Sequence, residues 1–128
     1  MRHYFAYHNA LDQGCSSTTI TKPHVKTGKT VTGLEGVTVW LIAGEGKSPK
    51  SYFIAAKFIA DKCLLNEHPE EEKLKNGISG KGTLYKLTKP ITGTVLIDKI
   101  KKESTNFRKG FHEVTDNTII NDLLKLSI

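Results

Sequence analysis

Gly46-Lys47-Ser48, inside the stretch WLIAGEGKSPKSYFIAAKF, carries the ending of a loop that wraps nucleotide phosphates. Such a loop needs GxxxxGK[ST], because two glycines let backbone amides close around the phosphates and a helix must follow. The position that calls for the first glycine holds Leu41, inside an apolar run, and Pro49 stands where the helix would be under way. The nearest thing to an acidic Mg²⁺ strand is VLID, ending at Asp98, and it is a poor match. The stretch AGEGKSPKS therefore reads as the turn of a β-hairpin, a connector that offers Lys47 and Lys50 to a backbone phosphate.

The histidines do not assemble a catalytic motif. His3, His8, His24, His68 and His112 show no HxH or HxxxH spacing, and neither GxSxG nor HExxH occurs. His8 with Asn9 and His112 with Glu113 are the pairs suited to acid–base work, so a small nuclease or nucleotide-processing enzyme using His8 or His112 stands as an alternative function. Cys15 and Cys63 lack CxxC spacing and neighbouring histidines at zinc-finger spacing. Two reduced thiols, with Cys63 in the core, are expected. No catalytic residue, metal site or cofactor is assigned.

The aromatic and basic residues carry more. Tyr7, Trp40, Tyr52, Phe53, Phe107 and Phe111 fall on separate segments that can converge at one end of a small barrel. Aromatic rings stack unpaired bases, and flanking cations meet the phosphates. The segment STNFRKGFHEV supplies both, with Asn106 to bond a base edge, Phe107 to stack, and Arg108-Lys109 beside them. Plain core is the stronger reading for Phe53, Phe58 and Tyr85, whereas Trp40 and Phe107 are open to either.

The net charge is +6, from 19 basic and 13 acidic residues. Residues 81–109 are basic, with Lys101 and Lys102 among them, and Glu67 and Glu70-Glu71-Glu72 form an acidic run. This balance favours polyanions through counterion release. Because 17 of the 19 basic residues are lysine, they meet phosphate as point charges rather than as bidentate forks. A protein–protein adaptor, whose acidic and basic segments meet different partners, is a further alternative.

These residues need a scaffold, and 128 residues give a single domain, 1–128, with room for a core. The composition, 38% hydrophobic and 25% charged, is that of an ordinary globular chain. No apolar stretch approaches membrane-spanning length, and MRHYFAYHN lacks a signal core, so a cytoplasmic protein without a membrane partner is expected.

Residues 2–8 read as a strand, VTVWLIAG (37–44) as the clearest strand, and 51–65 as a long strand. In that long strand Tyr52, Ile54, Ala56, Phe58 and Ala60 would share one apolar face. KGTLYKLTKPITGTVLI is expected to hold one or two short strands broken at Pro90 and Gly93, and IDKIKKES a short basic helix or strand end. TNFRKGFHEV reads as a strand bent at Gly110. TDNTIINDLLKLSI is the best helix, capped by Asp116 or Asn117, with Ile119, Ile120, Leu123, Leu124 and Leu126 as its apolar stripe. The sum is an α+β fold with a strongly curved sheet or barrel and a closing C-terminal helix.

The order of a YFAYHN strand, a Gly-containing loop, a VWLIAGEGK hairpin, SGKGTLYKLTKPI and a closing NFRKGF before a terminal helix resembles the PUA-like superfamily, in its EVE- and YTH-like branch. The likeness runs over most of the chain. It implies a curved mixed sheet or pseudobarrel of five to six strands with flanking helices. It also implies a non-catalytic domain that binds RNA or a modified DNA base in an aromatic pocket at one barrel end. Carried over by position, the pocket residues are Tyr7, His8, Asn9, Trp40, Asn106 and Phe107. The phosphate contacts are Lys47, Lys50, Lys101, Lys102, Arg108 and Lys109. A single Trp departs from a full YTH-type cage, which leaves the ligand open.

Overall fold

The computed structural model describes residues 2–9, 22–46, 51–67, 70, 75–91, 94–104 and 111–128. Its elements are β1 (His3–Asn9), β2 (His24–Thr27), β3 (Thr38–Glu45), β4 (Ser51–Leu64), β5 (Asn76–Leu84), α1 (Thr94–Glu103), β6 (Phe111–Val114) and α2 (Asn117–Leu126). The strands form one curled, mixed sheet in the order β2-β5-β4-β3-β1-β6. β1 runs parallel to β3, and every other neighbouring pair is antiparallel. The α+β class and the C-terminal helix expected from the sequence are both present.

Because successive side chains on a strand point to opposite faces, each strand feeds two cores. One face buries Tyr4, Ala6, Val39, Leu41, Phe58, Ile78 and Phe111. The turns of residues 28–37 cover it with Val31, Leu34 and Val37. Gly33 (φ 81°) and Gly36 (φ 92°) supply the left-handed backbone those turns need. The other face buries Phe5, Trp40, Ile42, Ile54 and Val114 beneath the two helices.

The helices follow their apolar spacing. α2 begins at Asp116, whose carboxylate accepts from the Thr118 backbone N–H at 2.9 Å, as expected of its cap. It buries Ile119, Ile120 and Leu123, roughly 1.5–3 kcal/mol for each side chain fully withdrawn from water. Leu124, expected in the same stripe, is 36% exposed. α1 corrects an expectation: TVLI is helix rather than strand, with Leu96, Ile97 and Ile100 buried and Val95 facing out. Three apolar residues in a row fit either period, and only docking against the sheet selects the helical one. Glu103 accepts from the Thr115 backbone N–H at 2.8 Å, joining the end of α1 to the start of α2.

The long β4 strand is present, but its faces differ from the simple alternation. Leu41 pairs with Ala56 while Ile42 pairs with Ile54, so Ala55 is an extra residue in β4. This bulge shifts the phase by one. Ile54 therefore packs under the helices, whereas Ala56, Phe58 and Ala60 enter the opposite core. β5 also starts earlier than its sequence suggests, within NGISG. A β-carbon at Gly80 or Gly82 would collide with the β4 backbone, so these glycines permit the close approach that lets the sheet curl. Ser51 begins a strand antiparallel to β3, so from Ser51 onward the chain is strand, not the helix a phosphate loop requires.

Candidate functional site

The helix-covered face has a different chemistry at each end. Near the C-terminal ends of β1 and β3, Gly44 pairs with Tyr52, and a β-carbon at Gly44 would collide with the Tyr7 hydroxyl. The missing side chain lets the Tyr7 ring lie over the strand backbone. Tyr7 and Tyr52 lie 6.5 Å apart at 37°, both half-buried. From the last turn of α1, the Lys101 ammonium sits 5.2 Å from the centre of the Tyr52 ring. Lys102 beside it is exposed. Glu45, next along β3, alternates to the opposite face.

At the other end, Trp40 is fully buried. Its indole N–H donates to His3 Nδ1 at 3.0 Å, the two rings stack at 6.3 Å, and the Lys57 ammonium stands 5.2 Å from the indole centre. Burial, with the Lys57 charge adding to it, holds the His3 imidazole below its usual pKa. That keeps the ring neutral and able to accept the indole hydrogen.

The expected base pocket is thereby divided. Trp40 belongs to the core, not to an open pocket, because it has no exposed surface and its one polar atom is already bonded. It also lies four residues from Gly44 along β3, about 13 Å at the usual strand rise, too far to share a base with Tyr7 and Tyr52. Tyr7 and His8 point to opposite faces because they are successive strand residues. Of the predicted set, the structure places Tyr7 and Lys101 at one corner, with Lys102 adjoining. Asn106, Phe107, Arg108, Lys109, Lys47, Lys50 and the Asn9 side chain lie outside the described residues.

Tyr52 was expected to converge with other aromatics but was not among the pocket residues, and Gly44 carried no signal at all. Both become legible only through the β3–β4 register. Phe111 also belongs to the core, stacked on Tyr4 at 5.1 Å on the loop-covered side.

The acid–base candidates do not meet. His112 pairs with Phe5 and packs edge-on against its ring at 5.5 Å, on the helix-covered face. His8 projects from the opposite face. Glu113 is instead bound by Arg2, at 3.0 Å and 3.2 Å, which holds its carboxyl below the usual range. Cys63 is a free, half-buried thiol whose pKa burial pushes up, the opposite of an activated nucleophile. Among the described residues no group of three or more His, Cys, Asp or Glu side chains is placed to hold a metal ion. Nor is any described helix long and apolar enough to cross a membrane.

Comparison with known proteins finds no matching family model, no matching curated protein and no matching solved structure.

Proposed function

We propose that this chain is a non-catalytic nucleic-acid-binding domain that takes an unpaired base of RNA, or a modified base of DNA, at the Tyr7–Tyr52–Lys101 corner. The observation that carries the reading is the pair of half-buried tyrosine rings with a lysine ammonium 5.2 Å from one of them. A nucleotide offers the π-face of its base to Tyr52 and its phosphate to Lys101, and the net charge of +6 draws the polyanion in. Membership of the PUA-like superfamily, in its EVE- and YTH-like branch, and a cytoplasmic location belong to the same proposal. A curled mixed sheet with flanking helices is the fold class that this resemblance implies.

The test is an anisotropy titration with labelled single- and double-stranded oligonucleotides, modified and unmodified, over a salt series. Tyr52→Ala should remove a stack worth about 1–3 kcal/mol, a loss of roughly 5- to 150-fold in affinity. Lys101→Gln should lower the slope of log K against log salt by about 0.7–0.9, the share of one phosphate contact. Absence of binding by every oligonucleotide at low salt, or unchanged affinity in Tyr52→Ala, overturns the reading.

A further inference from the structure

A second feature of the helix-covered face lies away from the tyrosine corner. Where the helices stop short of β4 and β5, a cleft of about 530 Å³ opens between those strands and the last turn of α2. Its floor is set by register: Lys57 pairs with Thr83 and Ile59 with Lys81, so two ammonium groups sit diagonally on one face of an antiparallel pair. Tyr85 and Leu124 also line the cleft. Three of the six exposed large aliphatic side chains among the described residues, Ile59, Leu124 and Ile128, gather here. Among the described residues lining it no side chain carries a carboxylate, and the Ile128 carboxyl oxygen that also lies there accepts from the Lys89 ammonium at 2.6 Å.

The geometry points to a binding site for a small organic phosphate monoester with an apolar body. The cleft's volume lies within the range of small-molecule sites, about 300–1,000 Å³. Aliphatic surface exposed beside two like charges is costly to leave bare and fits a ligand that is apolar at one end and anionic at the other. A phosphomonoester carries a charge of about −1.5 to −2 near neutral pH, which matches two lysines better than a single carboxylate does. Lysine suits this role as a point charge, and the Thr83 hydroxyl offers a hydrogen bond between the two. Lys57 is also held against Trp40, so its ammonium is positioned before a ligand arrives. The ester's apolar body then lies along Ile59 and Leu124. This site is independent of the tyrosine corner and survives or fails without it.

The protein carries its own reporter, because Trp40 is the chain's sole tryptophan and Lys57 contacts its ring. Decyl phosphate, kept below its micelle concentration, should change Trp40 emission saturably and bind 1:1 by calorimetry. Decanoate should bind more weakly, and decanol or inorganic phosphate more weakly still. Lys81→Gln, at an exposed strand position, should lower decyl phosphate affinity about tenfold or more, as expected for loss of a charge-assisted contact, and Lys57→Gln should do the same. Leu124→Asn should weaken it comparably while leaving inorganic phosphate unaffected. Equal affinity for decanol and decyl phosphate, or unchanged affinity in both lysine variants, overturns the proposal. Displacement of decyl phosphate by a single-stranded oligonucleotide whose own binding is lost in Lys57→Gln and Lys81→Gln also overturns it, by making the cleft part of a nucleic-acid surface.

Discussion

Trp40→Phe separates a structural tryptophan from a base-stacking one. The indole N–H to His3 Nδ1 bond, at 3.0 Å, contributes about 1 kcal/mol. The contact with Lys57, 5.2 Å from the ring centre, adds about 0.5–1 kcal/mol. Trimming indole to phenyl in a fully buried site leaves a void of roughly 40 Å³, which at about 24 cal/mol per Å³ costs a further ~1 kcal/mol. The sum is about 3 kcal/mol. For 128 residues, an unfolding entropy of about 2.1 cal/mol/K per residue converts this to a fall in Tm of about 10 °C.

Circular dichroism at a helical wavelength, with urea unfolding beside it, measures the change without needing the lost fluorophore. A double-mutant cycle with His3→Ala should return a coupling of about 1 kcal/mol, the share of the hydrogen bond. A Tm within about 2 °C of the parent, together with a tenfold loss of oligonucleotide affinity, would refute the reasoning. That outcome would place Trp40 at an accessible binding surface.

The His3 pKa, lowered chiefly by burial, makes stability depend on pH. The unfolded chain binds the proton more readily, so this contribution is complete above the usual histidine pKa of about 6.5 and is lost as pH falls through the lower native value. Urea midpoints between pH 7.5 and 5 should fall with pH, and His3→Gln should flatten that part of the profile. Gly80→Ala puts a β-carbon against the Ile59 carbonyl, and a main-chain neighbour cannot swing aside as a side chain can. A loss of about 1–3 kcal/mol is expected in urea unfolding, and an unchanged midpoint would contradict the close β4–β5 approach. Gly44→Ala meets only the end of the Tyr7 side chain, so it should displace that ring and weaken oligonucleotide binding at smaller cost in Tm than Gly80→Ala. Equal damage to stability by both substitutions would show that Gly44 serves the fold rather than the corner.

Much of the scaffold was legible in order and type. The β-branched and aromatic residues of TVWLIAGE announce β3, and the spacing of Ile119, Ile120 and Leu123 behind Asp116 announces α2. Those signals are local: propensity, periodicity and a cap act within a few residues. The departures arise where a neighbour decides. VLI in α1 fits either period until it docks on the sheet, and the glycines of β5 look like breakers until β4 lies against them.

The site divides along the same line. By itself the sequence determined which side chains are present: the tyrosines, the lysines, a basic balance and a hairpin in place of a phosphate loop. Tertiary structure decided their company. One extra residue at Ala55 rephases β4, so Tyr52 and Ile54 share the helix-covered side with Lys57 while Phe58 goes to the other core. The pleat sends Tyr7 and His8 apart, and the length of β3 separates Trp40 from Tyr52. Residue type is written in the chain, but register, bulges and strand rise are settled only when strands far apart in sequence pair, because their hydrogen bonds fix which side chains stand together.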